Sequence, residues 1–158
     1  NTDCQELAYV LQPAETEAPE FLQEALRQGN AVQDALTDHF KTGRTGNATL
    51  KMAIEASKAA GLRPQIYTHP LGLYGHSAGT TFGMWDAQEG IPGSGEHPLY
   101  ENTVYAIELN AKVYIEEWKK DVRVMLEEPG YYGPDGFRYV NGRQTDLILI
   151  GKKTGHLK

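Results

Sequence analysis

Apolar and polar positions along this chain follow two different rhythms. Between residues 16 and 41, Phe21, Leu22, Ala25, Leu26, Val32, Ala35, Leu36 and Phe40 recur at helical spacing. Thr16 is the expected N-cap, with Glu17 and Glu20 near the positive end of the helix dipole and Pro19 in the first turn, where it is tolerated. Gly29 and Asn30 weaken the middle of the pattern, and Gly43 and Gly46 punctuate its exit. A second helix is expected behind Asn47 as cap, with Leu50, Ala53, Ile54 and Ser57 on one face, ended by Gly61 and followed by Pro64.

From Gln65 onward the rhythm changes. Residues 68–98 are rich in Gly, Pro, His, Ser and Thr and hold no sustained period. Short β-rich runs follow at 103–109, 111–118, 122–127, 136–140 and 143–150, with Asp135-Gly136 and Asn141-Gly142 as tight-turn signals between them. Helix, helix, Gly-rich stretch and then a largely antiparallel set of strands describe an α+β domain with helices on one side of a curved sheet. No repeat, low-complexity linker or boundary divides residues 1–158, which read as one domain or part of one. Residues 1–11 read as the end of a strand entered part-way, with neither an initiator Met nor a basic-then-apolar leader, so an N-terminal truncation is expected. The compartment stays open between cytoplasm and periplasm.

Composition narrows the classes. With 40% hydrophobic and 23% charged residues over 158 positions, the chain is globular rather than disordered or fibrous. Its longest aliphatic run, Leu147-Ile148-Leu149-Ile150, falls far short of the roughly 20 residues of a membrane span. A net charge of −6 lacks the basic footprint of a nucleic-acid binder. The single cysteine, Cys4, forms neither an internal disulfide nor a thiolate cage, so any metal falls to His, Asp and Glu.

The Gly-rich stretch is not a phosphate cradle, because GxxxxGK[ST] is missing, and no GxSxG marks a serine nucleophile. Cys4 has no catalytic signature beside it and reads as a structural thiol. What stands out is Gly75-His76-x-x-Gly79 together with two acids inside later strands, Glu108 and Glu127. A carboxylate buried without a partner costs several kcal/mol, so an arginine, solvent or a metal ion must compensate. Strand alternation puts Glu108 on one face with Val104 and Ala106, and Glu127 with Arg123 and Met125. An oxygen-rich set with one imidazole suits Mn²⁺, Co²⁺, Fe²⁺ or Zn²⁺. From the residues alone, pairing with Arg123, Lys119 or Lys120 competes with that reading, as does plain exposure. His39 reads as a helix-surface residue, His97 as loop, His156 as part of a solvated or appended tail, Trp118 as a strand-end anchor and Arg143 as half of a structural ion pair.

The run 69–79, the later Tyr105-Ala106-Ile107-Glu108 and a strand ending in Leu126-Glu127-Glu128 resemble the creatinase/aminopeptidase ("pita-bread") metallopeptidases, peptidase M24, in the proline-aminopeptidase/prolidase branch. The likeness covers nearly the whole chain, in family order, as a C-terminal portion. It implies a pita-bread fold and metal-dependent hydrolysis at the N-terminus of proline-containing peptides by two divalent ions (Mn, Co, Zn or Fe). By resemblance Asp3 matches the family's second metal-binding Asp, His76 the His, Glu108 the first Glu and Glu127 the last. Glu128 is the rival for that last place, because the family's Arg-x-Glu spacing is not kept after Arg123. His69 corresponds to a His near the substrate, so His69, His76 and Glu127 become the implied catalytic residues.

Two departures follow. The family's first Asp lies upstream of Asn1, which leaves one ion position nearly whole and impairs the other. The His-Glu pair that the family carries after its GHxxG motif is replaced by Thr81-Phe82-Gly83-Met84-Trp85-Asp86. A non-catalytic peptide- or protein-binding module, or an inactive fragment, is therefore the competing expectation. A peptide is the implied partner, and a homodimer or association with the missing N-terminal portion is compatible with the family.

Overall fold

The computed structural model describes residues 3–151, so Asn1, Thr2 and the tail at 152–158, His156 included, lie outside the described residues. In chain order come β1 (Ala8–Val10), α1 (Glu20–Thr37), α2 (Gly46–Ala59), β2 (Pro64–Ile66), β3 (His69–Pro70), β4 (Thr103–Ile115), β5 (Lys120–Gly133), β6 (Gly136–Tyr139) and β7 (Ile148–Ile150). One five-stranded antiparallel sheet runs β2-β4-β5-β6, with β3 paired to β4 beyond the end of β2. This is the α+β arrangement expected of the element order.

α1 starts at Glu20 with Pro19 at its N-cap, not behind Thr16. A proline pushes the residue before it out of the helical region, so Ala18 cannot carry the helix further back. α2 is capped by Thr45, whose Oγ1 accepts from the Ala48 N–H at 3.2 Å. Asn47, the expected cap, instead clamps the Gly-rich segment: its Oδ1 accepts from Ile91 N at 2.8 Å and its Nδ2 donates to Ile91 O at 3.0 Å.

The runs expected at 103–109 and 111–118 fuse into the 13-residue β4, which stops at Ile115 because Glu116–Trp118 turn as a short 3-10 helix, and β4 pairs along its whole length with the 14-residue β5, from Thr103↔Tyr132 to Ile115↔Lys120. Asp135-Gly136 does close the β5–β6 hairpin, with Gly136 at φ +99°. Asn141-Gly142 does not make another. The expected strand at 143–150 shrinks to β7, which pairs in parallel with β1 in a separate two-stranded sheet. Residues 144–147 instead bond to side chains: Gln144 N donates to Glu128, Leu147 N donates to Gln23 Oε1, and Thr145 O accepts from Gln23 Nε2.

Alternation along the β4–β5 ribbon divides it into two faces. Tyr105, Ile107, Leu109, Ala111, Val113 and Ile115 of β4, with Val124 and Leu126 of β5, form one core with Leu26, Val32 and Leu36 of α1. Gly29, which weakens α1 as a sequence, is what lets the helix approach: a Cβ there would lie 2.8 Å from Leu126 Cδ1 and 2.9 Å from Val124 Cγ1. Asn30 is buried and ties α1 to the last segment, donating to Gln144 O at 2.9 Å and to Gln33 Oε1 at 3.0 Å. Phe40, stacked on Phe82 at 5.0 Å, gathers Tyr105, Tyr132 and Phe137 edge-on at the hairpin end of the sheet. The opposite face of the ribbon carries Glu108, Asn110 and Lys112 against Glu127, Met125 and Arg123. That face is where the polar chemistry collects.

Candidate metal centre

Each acid reaches this face for a local reason. Glu108 and Glu127 are direct cross-strand partners, so both carboxylates leave the same side of the ribbon. Glu128, one residue on, must turn to the helix side, and there it accepts the Gln144 N–H at 2.9 Å. Asp3 arrives by a backbone bridge: Gln5 N donates to Glu127 O at 2.9 Å and Glu127 N to Gln5 O at 3.1 Å, which lays the N-terminal segment beside β5. His69 is set on β3 opposite Ala106, and Thr68 Oγ1 locks the approach by donating to Glu108 O at 3.0 Å.

Two groups of metal-capable atoms result, Asp3/His69/His76 and His69/Glu108/Glu127, each with its atoms within 4.8 Å of one another. His69 belongs to both. Its Nε2 lies 3.6 Å from Glu108 Oε2 and 3.9 Å from Asp3 Oδ2, too far for hydrogen bonds, and this buried nitrogen has no hydrogen-bond partner. Nδ1 lies 3.1 Å from Pro70 O, a carbonyl that can only accept, so the neutral ring carries its proton there and turns the Nε2 lone pair into the cluster. His76, taken from the sequence as the metal-binding imidazole, stacks on His69 at 3.8 Å, with its Nε2 3.9 Å from Asp3 Oδ2, but its side chain is 74% exposed. It sits at the rim, while His69 sits at the junction.

The electrostatics are those of crowded negative charge. Burial, then the charges of Glu108 and Asp3, push the Glu127 carboxyl up to about 7. For His69, burial pulls the pKa down, but the facing Glu108, the Pro70 carbonyl and the charge of Asp3 outweigh it and raise the net value. Among the described residues neither Glu108 nor Glu127 forms an ion pair with Lys119, Lys120 or Arg123. Lys119 pairs with Glu116, and Lys120 lies over the Trp118 ring at 5.3 Å. A buried ring nitrogen with no hydrogen-bond partner, facing Asp3, Glu108 and Glu127, fits a divalent cation, and the mixed oxygen–imidazole set is one that Mn²⁺, Co²⁺, Fe²⁺ and Zn²⁺ accept.

The first glycine of the GHxxG motif serves this packing. Gly75 adopts φ +88°, and a Cβ there would lie 2.9 Å from Asp3 Oδ2. Gly83, where the sequence lacks the expected His, has φ +71° and a Cβ position only 2.3 Å from Ile66 O. That backbone admits no histidine without moving. Trp85 and Met84 stand exposed beside it, and Asp86 is exposed as well.

A cavity of about 610 Å³ opens on the cluster, walled by Tyr67, Met84, Trp85, Met125, Asn110 and Arg123. Asn110 joins two walls, donating to Gln65 Oε1 at 2.8 Å and to the Tyr67 hydroxyl at 3.2 Å. The sequence alone does not single out Asn110, Gln65 or Tyr67 as site residues. The signal was present: Asn110 is polar within an apolar strand and two residues from Glu108, hence on the same face. Arg143, by contrast, has the structural role its sequence suggested, with Nη2 3.1 Å from Asp34 Oδ2 and its guanidinium over Tyr139 at 5.6 Å.

No family model matches the sequence, and no curated protein matches it significantly. Solved structures do match the fold. An X-Pro aminopeptidase from Thermotoga maritima MSB8 is 17% identical with a TM-score of 0.64, covering 94% of this chain and 38% of its own. The dipeptidase PepE from Mycobacterium ulcerans is 19% identical with a TM-score of 0.61, covering 95% of this chain and 36% of its own. An Xaa-Pro dipeptidase from Bacillus anthracis is 17% identical with a TM-score of 0.56, covering 94% and 37%. The chain thus spans little more than a third of the structures it matches, and over that length it has their pita-bread-like α+β fold.

Proposed function

We propose that this chain carries the metal-binding part of a peptidase that hydrolyses the bond at the N-terminus of proline-containing peptides. The observation that carries the reading is His69 Nε2, a buried ring nitrogen without a hydrogen-bond partner at the meeting point of Asp3, Glu108 and Glu127. The pita-bread-like fold, shared with solved aminopeptidase and dipeptidase structures, supports the same conclusion.

Asp3, His69, Glu108 and Glu127 would hold the ion, with His76 closing the exposed side through Asp3. One imidazole nitrogen ligates one ion, so His69 would serve either group but not both at once. A divalent cation bound there would polarise the scissile carbonyl and acidify a water molecule. With the ion bound, the Glu127 carboxylate would be the group placed to accept a proton from that water. Stacked on His76, the His69 ring is held in one orientation. Tyr67, Met84, Trp85 and Met125 supply an apolar wall for a peptide beside the reacting bond.

Metal analysis of the purified chain, followed by hydrolysis of an Xaa-Pro dipeptide and an Xaa-Pro-containing tetrapeptide with and without Mn²⁺, tests this directly. About one equivalent of bound metal and Mn²⁺-dependent release of the first residue are expected. A protein that takes up no divalent ion would end the reading. A second reading, a peptide-binding module without turnover, draws on Gly83, whose backbone excludes the histidine expected there. It predicts metal and peptide binding with no cleavage.

A further inference from the structure

The site face of the β4–β5 ribbon carries three successive cross-strand pairs: Glu108↔Glu127, Asn110↔Met125 and Lys112↔Arg123. Their charges read acid–acid, neutral, base–base. Like charges directly opposite each other destabilise a ribbon, so each end needs an opposite charge. At the acidic end that charge is a cation. At the basic end it is an anion.

Protein groups meet only part of that demand. Asp121 Oδ2 lies 3.1 Å from Lys112 Nζ, and Asp121 Oδ1 lies 2.6 Å from Arg63 Nη2. Lys58 and Arg123 line the same cleft, of about 360 Å³, and neither forms an ion pair among the described residues. Asp121 thus pairs with two of the four cations, Arg63 and Lys112, in a chain whose net charge is −6. Arg123, Gln65 and Asn110 line both this cleft and the cavity over the metal cluster, so the two adjoin. Arg123 and Glu127 lie four residues apart on one face of β5, roughly 13 Å at the usual strand rise. An extended peptide of about four residues covers that distance, and fewer are needed once the arginine side chain reaches back.

We propose that the Lys112/Arg123 end of the ribbon is a carboxylate-binding subsite that selects peptides bearing a negative charge about three residues beyond the scissile bond, with Arg123 as the residue that contacts it. The inference rests on the peptidase reading. The carboxylate is either the C-terminus of a short peptide or an acidic side chain in a longer one.

Calorimetric binding to the intact chain, with Mn²⁺ present and the Xaa–Pro amide of each peptide replaced by an uncleavable reduced amide, separates the possibilities. Three Xaa-Pro tetrapeptides are compared: a free acid, its C-terminal amide, and an amide with Glu as last residue. The wild type should bind the free acid about tenfold more tightly than the plain amide, the advantage of a charge-assisted contact. Raising salt from about 50 to 500 mM should shrink that ratio. If the Glu amide recovers the affinity, side chains are the source; if only the free acid binds well, the terminus is. In R123Q the acid-to-amide ratio should fall to about one, and R123E should invert it, which a folding defect cannot do. Equal affinity for acid and amide in the wild type, or a ratio that survives R123Q, overturns the subsite while leaving the peptidase reading intact. No binding of any peptide overturns both.

Discussion

Glu108 and Glu127 face each other across the β4–β5 ribbon as direct cross-strand partners, and Asp3 adds a third carboxylate beside them. The fold thus keeps together charges that repel. Without metal, the relief open to it is protonation, and this fixes the sign of its pH dependence. Glu127 is raised from 4.5 to about 7, Glu128 is raised by burial, and His69 is raised from 6.5. A group whose folded pKa is raised contributes stability that is fully present below its unfolded pKa and lost as pH rises through the folded one. Metal-free protein should therefore lose stability between about pH 5 and pH 8, seen as a falling urea midpoint. E127Q should flatten most of that slope. Saturating Mn²⁺ should reverse it, because the ion needs deprotonated ligands. A wild-type profile that is flat in EDTA would contradict this account of the cluster.

His69 and His76 should not be equivalent in metal binding. His69 Nε2 is shared by both ligand groups and is buried, whereas His76 touches the cluster through Asp3 from an exposed position. H69A should weaken Mn²⁺ binding by about a hundredfold or more, and H76A by only several-fold. The readout is the Tm gain on adding metal, roughly 2.7 kcal/mol of stabilisation when the free ion is 100 times Kd. The reverse ranking would return the central role to the histidine of the GHxxG motif.

Much of this was legible in the residues, and what was not has a physical reason. Period-two alternation alone put Glu108 with Ala106 and Glu127 with Met125 and Arg123, and the ribbon keeps those faces. The choice between Glu127 and Glu128 was also decidable from parity once the register with Glu108 was known. The place of His69 was not legible, because β3 has two residues and its partnership with Ala106 is set by tertiary pairing rather than any local pattern. The last strand failed for a related reason. Arg143-Gln144-Thr145-Asp146 looks β-compatible, but Gln144 and Gln23 supply side-chain amides that satisfy the backbone in place of a ladder. Side-chain capture of backbone groups at sequence separations above 100 leaves no trace in a short window.

Gly75 offers a test of how Asp3 is held. Its φ of +88° is one that L side chains rarely adopt, and an added Cβ would press on Asp3 Oδ2 at 2.9 Å. G75A should cost about 1–3 kcal/mol in stability from backbone strain. It should also weaken metal binding beyond that, because the clash displaces a ligand. G43A is the control: its φ is +83° with nothing within 4 Å of the new Cβ. Comparable strain with unchanged metal affinity is expected there. Equal loss of metal affinity in both variants would mean that Asp3 does not depend on the loop.

Gln144 links the sheet edge to the site. Its side-chain amide imitates a strand partner for Leu7, with Leu7 N donating to Oε1 at 2.7 Å and Nε2 donating to Leu7 O at 2.6 Å. Leu7 lies between the Gln5–Glu127 bridge and β1, so this clamp fixes the segment that delivers Asp3. Q144A leaves Leu7 N without its acceptor, while Leu7 O keeps the Ile148 N–H at 3.1 Å, and should cost about 1–3 kcal/mol. The useful comparison is with Leu126→Ala in the helix-facing core, where a loss of about 2–5 kcal/mol is expected from the cavity alone. Q144A is the milder change for the fold, yet it should lower Mn²⁺ affinity more, since it loosens the approach of a ligand while Leu126 lies on the opposite face of β5. Amide exchange should show Gln5 and Leu7 opening in Q144A while the β4–β5 ladder stays protected. If Leu126→Ala proved the more damaging to metal binding, Asp3 would be held by the sheet as a whole rather than by this clamp.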